Sequence, residues 1–100
     1  MIRYEVTLAP TTEIAARLEQ YMRTVHIPAL LATGFFSRIR FEHCGERFRT
    51  VYILPARADL ERYLAEHADN FRADFHAHFP DGVTITRSVW EEVESWEKPS

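Results

Sequence analysis

One hundred residues, 46% hydrophobic and 13% aromatic, make one small domain with an aromatic core and no internal linker. A formal charge of −3 argues against a general nucleic-acid binder, and the single cysteine, Cys44, excludes an internal disulfide and fits a reducing compartment. The opening residues hold neither a signal-peptide core nor a membrane span, so a soluble cytoplasmic protein is expected, with no membrane and no nucleic acid among its partners.

Ile2, Tyr4, Val6 and Leu8 alternate with Arg3, Glu5 and Thr7. Period two predicts a strand with one face on a core, stopped at Pro10, which has no amide proton to donate. Thr11 or Thr12 caps the next helix, with Glu13 in its first turn. Ile14, Leu18, Tyr21, Met22 and Val25 recur at helical spacing and predict its buried stripe. Pro28 disfavours helix in the residue before it, so the helix should bend or restart near His26. Leu30 and Leu31 add a last apolar turn, and Gly34 supplies a left-handed stop.

From Phe35 the period returns to two. Phe35, Ser37, Ile39, Phe41 and His43 share one face; Phe36, Arg38, Arg40 and Glu42 share the other. A tight turn at Cys44-Gly45 would set Glu42 opposite Arg47, Phe41 opposite Phe48, Arg40 opposite Arg49 and Ile39 opposite Thr50, with Ser37 and Phe35 meeting Tyr52 and Leu54. That strand ends at Pro55, and Asp59 caps or opens a second helix. Leu60, Leu64, His67, Phe71 and Phe75 form its stripe, with Tyr63 and Phe79 at the margins. Pro80-Asp81-Gly82 terminates it, and alternation resumes at Val83 and runs on to Trp96. The domain is expected over residues 1–96, with a polar tail at 97–100.

The order strand, helix, strand, strand, helix, strand folds most simply as a four-stranded antiparallel sheet with two helices on one face, the ferredoxin-like α+β plan. The far face would then carry Phe36, Arg38, Arg40, Arg49, Val51, Ile53 and Trp90. Leaving several large apolar groups there in water costs on the order of 1.5–3 kcal/mol each. The last strand, roughly 45 Å long if extended over residues 83 to 96 at about 3.3 Å per residue, overruns its own sheet. A homodimer closed through this face and the long last strand answers both, with these seven residues at the interface.

Three segments carry a resemblance: Ile2-Arg3-Tyr4-Glu5-Val6, the run from His26-Ile27-Pro28 to Leu31-Ala32-Thr33-Gly34-Phe35, and Asp59-Leu60-Glu61-Arg62-Tyr63-Leu64. The chain resembles the dimeric α+β-barrel superfamily and, within it, a small bacterial family of about this length known only as a domain of unknown function. The resemblance implies a fold and a dimer but no established activity. The superfamily includes cofactor-independent oxygenases, haem-degrading enzymes, small isomerases and stress-response proteins, and none of their catalytic sets matches here position by position.

Candidate chemistry rests on few residues. His26 is the one catalytic candidate, a proton carrier or ligand donor at the mouth of a cleft between helices and sheet, or else a partner for carbonyls freed by Pro28. Tyr21 would line the same cleft. His67 lies within the second stripe, either at the cleft or as a core histidine bonded to Tyr4 or Tyr52. His76 and His78 diverge by about 200° on a helix and cannot clamp one metal, so neither metal nor other cofactor is expected. Arg38, Arg40, Arg47 and Arg49 invite an RNA-binding reading, but the strand around them lacks that module's motif, and pairing with Glu5, Glu42 and the Glu91-Glu92-Glu94 run is preferred. The expected role is binding of a small, partly aromatic molecule by Tyr21, His26, Tyr52, Tyr63 and His67. The alternatives are a cofactor-independent oxygenase- or isomerase-like enzyme working through His26, and a structural or regulatory subunit without a ligand.

Overall fold

The alternation at the start forms the strand it predicts, β1 (Ile2–Pro10), and this strand lies inside the sheet. A computed structural model describes residues 1–100. The strand order is β2-β3-β1-β4, with β2 Arg38–Cys44, β3 Arg47–Leu54 and β4 Val83–Glu91, and every pairing is antiparallel. This is the ferredoxin-like α+β architecture. Two helical stretches pack on one face of the sheet. The first runs through α1 (Ala15–Tyr21), a π turn (Met22–His26) and α2 (Ile27–Leu31); the second is α3 (Arg57–Glu66) followed by α4 (Ala68–His78).

The inward residues of β1 and β3 seed two adjoining aromatic cores. Ile2, Tyr4, Tyr52 and Leu54 pack with Leu30, Phe36, Leu60 and Tyr63. Leu8 and Phe48 pack with Leu18, Tyr21, Met22, Phe75 and Phe79, and Val6 touches both groups. Gly34 ends the first helical stretch at φ +83°, the left-handed conformation that its lack of a Cβ permits. Asp59 opens α3 by accepting the Ala56 N–H at 3.1 Å.

Several expectations are corrected. The hairpin turn is Gly45-Glu46, so Glu42 faces Arg49, Phe41 faces Thr50 and Ile39 faces Tyr52. Gly45, at φ +61°, takes the first central position of the turn, where the favoured hairpin geometries need a positive φ. A slip of two residues leaves every side chain on its expected face. Phe36 is different. The strand begins only at Arg38, so alternation does not govern Phe36, which packs under the helices against Tyr52 and Tyr63 at 5.2 and 5.0 Å between ring centroids. It therefore belongs to the core and not to the open face.

The last strand ends at Glu91 rather than Trp96, because its only neighbour, β1, begins at Ile2 opposite Glu91. One further bond, from the Glu92 N–H to the Met1 carbonyl, closes the ladder, and Val93 and Trp96 stand almost wholly exposed beyond it. Both stripes also shift phase. Val25 and Leu31 face solvent while Leu30 is buried, and Leu64 is exposed while Tyr63 and Phe79 are buried. In the first stretch the cause is the π turn ending at His26; in the second, α3 is unbroken from Arg57 to Glu66 and turns Tyr63 rather than Leu64 inward beside Leu60.

Candidate functional site

Pro28 has no N–H to offer the carbonyl four residues back, and the helix widens ahead of it. The Ile27 N–H bonds the Met22 carbonyl, five residues away, which defines a π turn. A π turn accommodates one extra residue, so His26 swings onto the core side in place of Val25. Such turns occur often at functional sites.

His26 lies among rings: Tyr21 at 5.7 Å, Phe75 at 5.9 Å and Phe71 at 6.0 Å. Its Nδ1 is wholly buried and has no hydrogen-bond partner. The carbonyls freed near Pro28 therefore do not satisfy that nitrogen. Burial pushes its pKa down to about 4, against the smaller opposing pull of the Asp74 carboxylate, and the imidazole is neutral at pH 7. Behind it, the Tyr21 hydroxyl donates to Asp74 Oδ2 at 2.5 Å, and His78 Nδ1–H donates to the Asp74 carbonyl at 2.9 Å. The Tyr21 ring thus lies between two imidazoles, with His78 at 4.5 Å. Its phenol is pushed up by burial first and by Asp74 second.

In front of His26 opens a cleft of about 50 Å³ between α4 and the sheet. Tyr4, Tyr52 and Tyr63 line its inner wall, and Arg72 and Arg87 line it with them. Arg72 Nη2 donates to the Tyr4 hydroxyl at 3.3 Å. Tyr52 and Tyr63 both resist ionisation, chiefly through burial, the latter with its pKa raised to about 12. The cleft therefore joins His26, Tyr52 and Tyr63 of the five expected residues. Tyr21 stands behind His26, outside the lining. His67 lies at the break between α3 and α4 (φ −129°), and its ring packs on Phe35 and Phe71 at 5.4 and 6.4 Å instead of bonding Tyr4 or Tyr52. Sequence reasoning misses Tyr4, Arg72 and Arg87 as lining residues. Strand alternation could have found Tyr4 and Arg87, since Arg87 continues the inward set Val83 and Ile85; Arg72 has no comparable signal.

A second cleft, of about 530 Å³, lies on the opposite sheet face between Arg3, Arg40, Val51, Ile53 and Trp90 and the residues after Glu91. Arg49 there bonds Glu42 at 2.8 Å and lies 3.9 Å from Glu5, which also pairs with Arg3 at 2.6 Å. Part of the arginine cluster is thus paired as expected, whereas Arg38, Arg40 and Arg47 have no carboxylate within 4.0 Å. No helix is long and apolar enough to cross a membrane.

Solved structures place this architecture in a class of small ferredoxin-like proteins. A protein from Deinococcus radiodurans, provisionally described as an antibiotic biosynthesis monooxygenase, superposes with a TM-score of 0.74 at 18% identity, over all of both chains. One from Nitrosomonas europaea with the same provisional description gives 0.69 at 12%, covering 94% of this chain and 100% of the other. A dimeric ferredoxin-like protein from an uncultured marine organism gives 0.72 at 17%, covering 95% and 97%. At these identities the likeness establishes the fold alone. No curated protein matches the chain in sequence. The chain itself belongs to the family known as a domain of unknown function, DUF4286, whose model matches residues 1–93.

Proposed function

We propose that the protein is a homodimer that binds a small, partly aromatic molecule in the cleft between its helices and sheet, with His26, Tyr52 and Tyr63 facing the ligand. The observation that carries this reading is the buried, unpartnered Nδ1 of His26. An orphaned polar atom in a folded interior costs about 1–3 kcal/mol, and a ligand group that hydrogen-bonds it when the cleft opens around His26 would recover that cost. The surrounding phenols offer hydroxyls and flat apolar faces in the same space.

Self-association is supported by surface area. The accessible surface is 6803 Å², against about 5,900 Å² expected of a folded monomer of this mass. The excess resembles the roughly 800 Å² that each partner buries in a standard interface. Trp90, Val93 and Trp96 contribute to it, and one structural neighbour is described as dimeric. The open face with Arg38, Arg40, Arg49, Val51, Ile53 and Trp90 is the proposed interface. The free Cys44 supports a reducing, cytoplasmic setting.

A second reading, a cofactor-independent enzyme working through His26, is favoured by the same unpartnered Nδ1, although a pKa pushed down to about 4 leaves the imidazole a weak base at neutral pH. Thermal shift against a panel of aromatic metabolites tests the first reading. Ligands should raise the melting temperature of the native protein and do so less in His26→Ala and Tyr63→Phe. A panel that moves neither native protein nor variants refutes it. A His26→Ala protein that binds but no longer turns the ligand over selects the enzyme.

A further inference from the structure

The His26 cleft continues beyond its own mouth. Arg72, Phe75, Ile85 and Arg87 line it and also line a groove of about 380 Å³ between α4 and β4, which Phe79 and Val83 extend. The groove alone falls within the roughly 300–1,000 Å³ usual for small-molecule sites, which the inner 50 Å³ does not. The two arginines stand where the spaces meet. Neither has a carboxylate within 4.0 Å, although Asp81 also lines the groove. Two unpaired guanidiniums beside rings present planar forks that match a carboxylate, and the rings match a flat apolar body.

We infer that the joined space takes an aryl carboxylate, its carboxylate held by Arg72 and Arg87 and its ring laid along Phe75, Phe79 and Ile85. This deepens the ligand-binding reading above and rests on it. The two positive charges select an anion over its neutral counterpart. Tyr4, bonded to Arg72, holds that guanidinium toward the cleft.

Naphthoate and its neutral amide, naphthamide, test the inference by titration, followed through backbone amide shifts. Naphthoate should move the amides of Phe75, Ile85 and Arg87 and bind about tenfold or more tightly than naphthamide, a difference of about 1.4 kcal/mol. Arg72→Gln and Arg87→Gln should each erase most of that preference, and Arg87→Lys should retain part of it. Both arginines are exposed, so the variants should keep the native spectrum elsewhere. Equal binding of the two probes, or naphthoate affinity indifferent to both Gln variants, overturns the inference while leaving the ligand site intact. If neither probe moves a cleft amide, the inference and the ligand-binding reading fall together.

Discussion

The two faces of the sheet use similar residues to opposite effect. On the helix side, Tyr4, Phe48, Tyr52 and Leu54 lie under rings from α1, α3 and α4, and all are buried. On the far side, Val51 is equally buried, but the large groups around it are charged, and Trp90 remains 54% exposed. Arg40, Arg49 and Glu5 line that space with Val51, and long arginine stems shed water while their heads stay wet. Burial of a single residue therefore does not mark a finished core. What separates the faces is whether rings or ions complete the covering, and ions leave a surface that a second chain can still dry.

Substitutions on adjacent residues of β3 give the largest contrast. Leu54 is fully buried under the helices and Ile53, on the far face, is partly exposed. Leu54→Ala should cost about 2–5 kcal/mol at any protein concentration. Ile53→Ala should cost well under that in dilute solution and, on the proposed dimer, more as concentration rises. Denaturant melts at two concentrations check this. A concentration-independent Ile53→Ala cost would mean that the far face stays open.

The dryness of the helix side is measured by His26. Its pKa is about 4 when folded and about 6.5 when unfolded. The unfolded imidazole takes up a proton first as pH falls, so its contribution is full above pH 6.5 and lost by about pH 4. Relative to His26→Leu, which cannot titrate, the native protein should lose about 3 kcal/mol of stability across that window. Parallel stability curves for the two proteins would mean that water reaches the ring.

The faces of the strands were legible in the sequence because alternation survives errors of register. The hairpin slipped by two residues, yet Ile39, Phe41 and Tyr52 kept their side. Phe36 was not legible, since it precedes the strand and its direction is set by Tyr63 on a distant helix. Helical phase failed for a related reason. Periodicity assumes an unbroken helix of even phase, whereas the π turn at His26 rotates the residues after it about the helix axis, and in α3 Tyr63 rather than Leu64 shares the inward side with Leu60. Pro28 announced the π turn, but nothing in the spacing of Leu60, Tyr63 and Leu64 separated the two possible inward positions one turn on. The site was legible as aromatic, through Tyr52 and Tyr63, and illegible as basic, because Arg72 and Arg87 read as ordinary surface residues. Nor was the end of β4 legible from its own residues, which remain strand-like to Trp96; the length of β1 decides it.

The smallest expected effect gives the sharpest test of the far face. The Arg49–Glu42 pair is about half exposed, and both Nε and Nη2 of the arginine bond the same carboxylate oxygen at 2.9 and 2.8 Å. Pairs with such access to water contribute about 0.2–1 kcal/mol in double-mutant cycles. A cycle of Arg49→Met and Glu42→Gln in dilute, monomeric protein should fall in that range and shrink with added salt. If a partner chain covers this face at higher concentration, the pair loses its water and its coupling should rise while its salt dependence weakens, because less solvent remains to screen it. A coupling that stays small and salt-sensitive at both concentrations would show the ions still wet, and the far face would then differ from the helix side by having no partner to cover it.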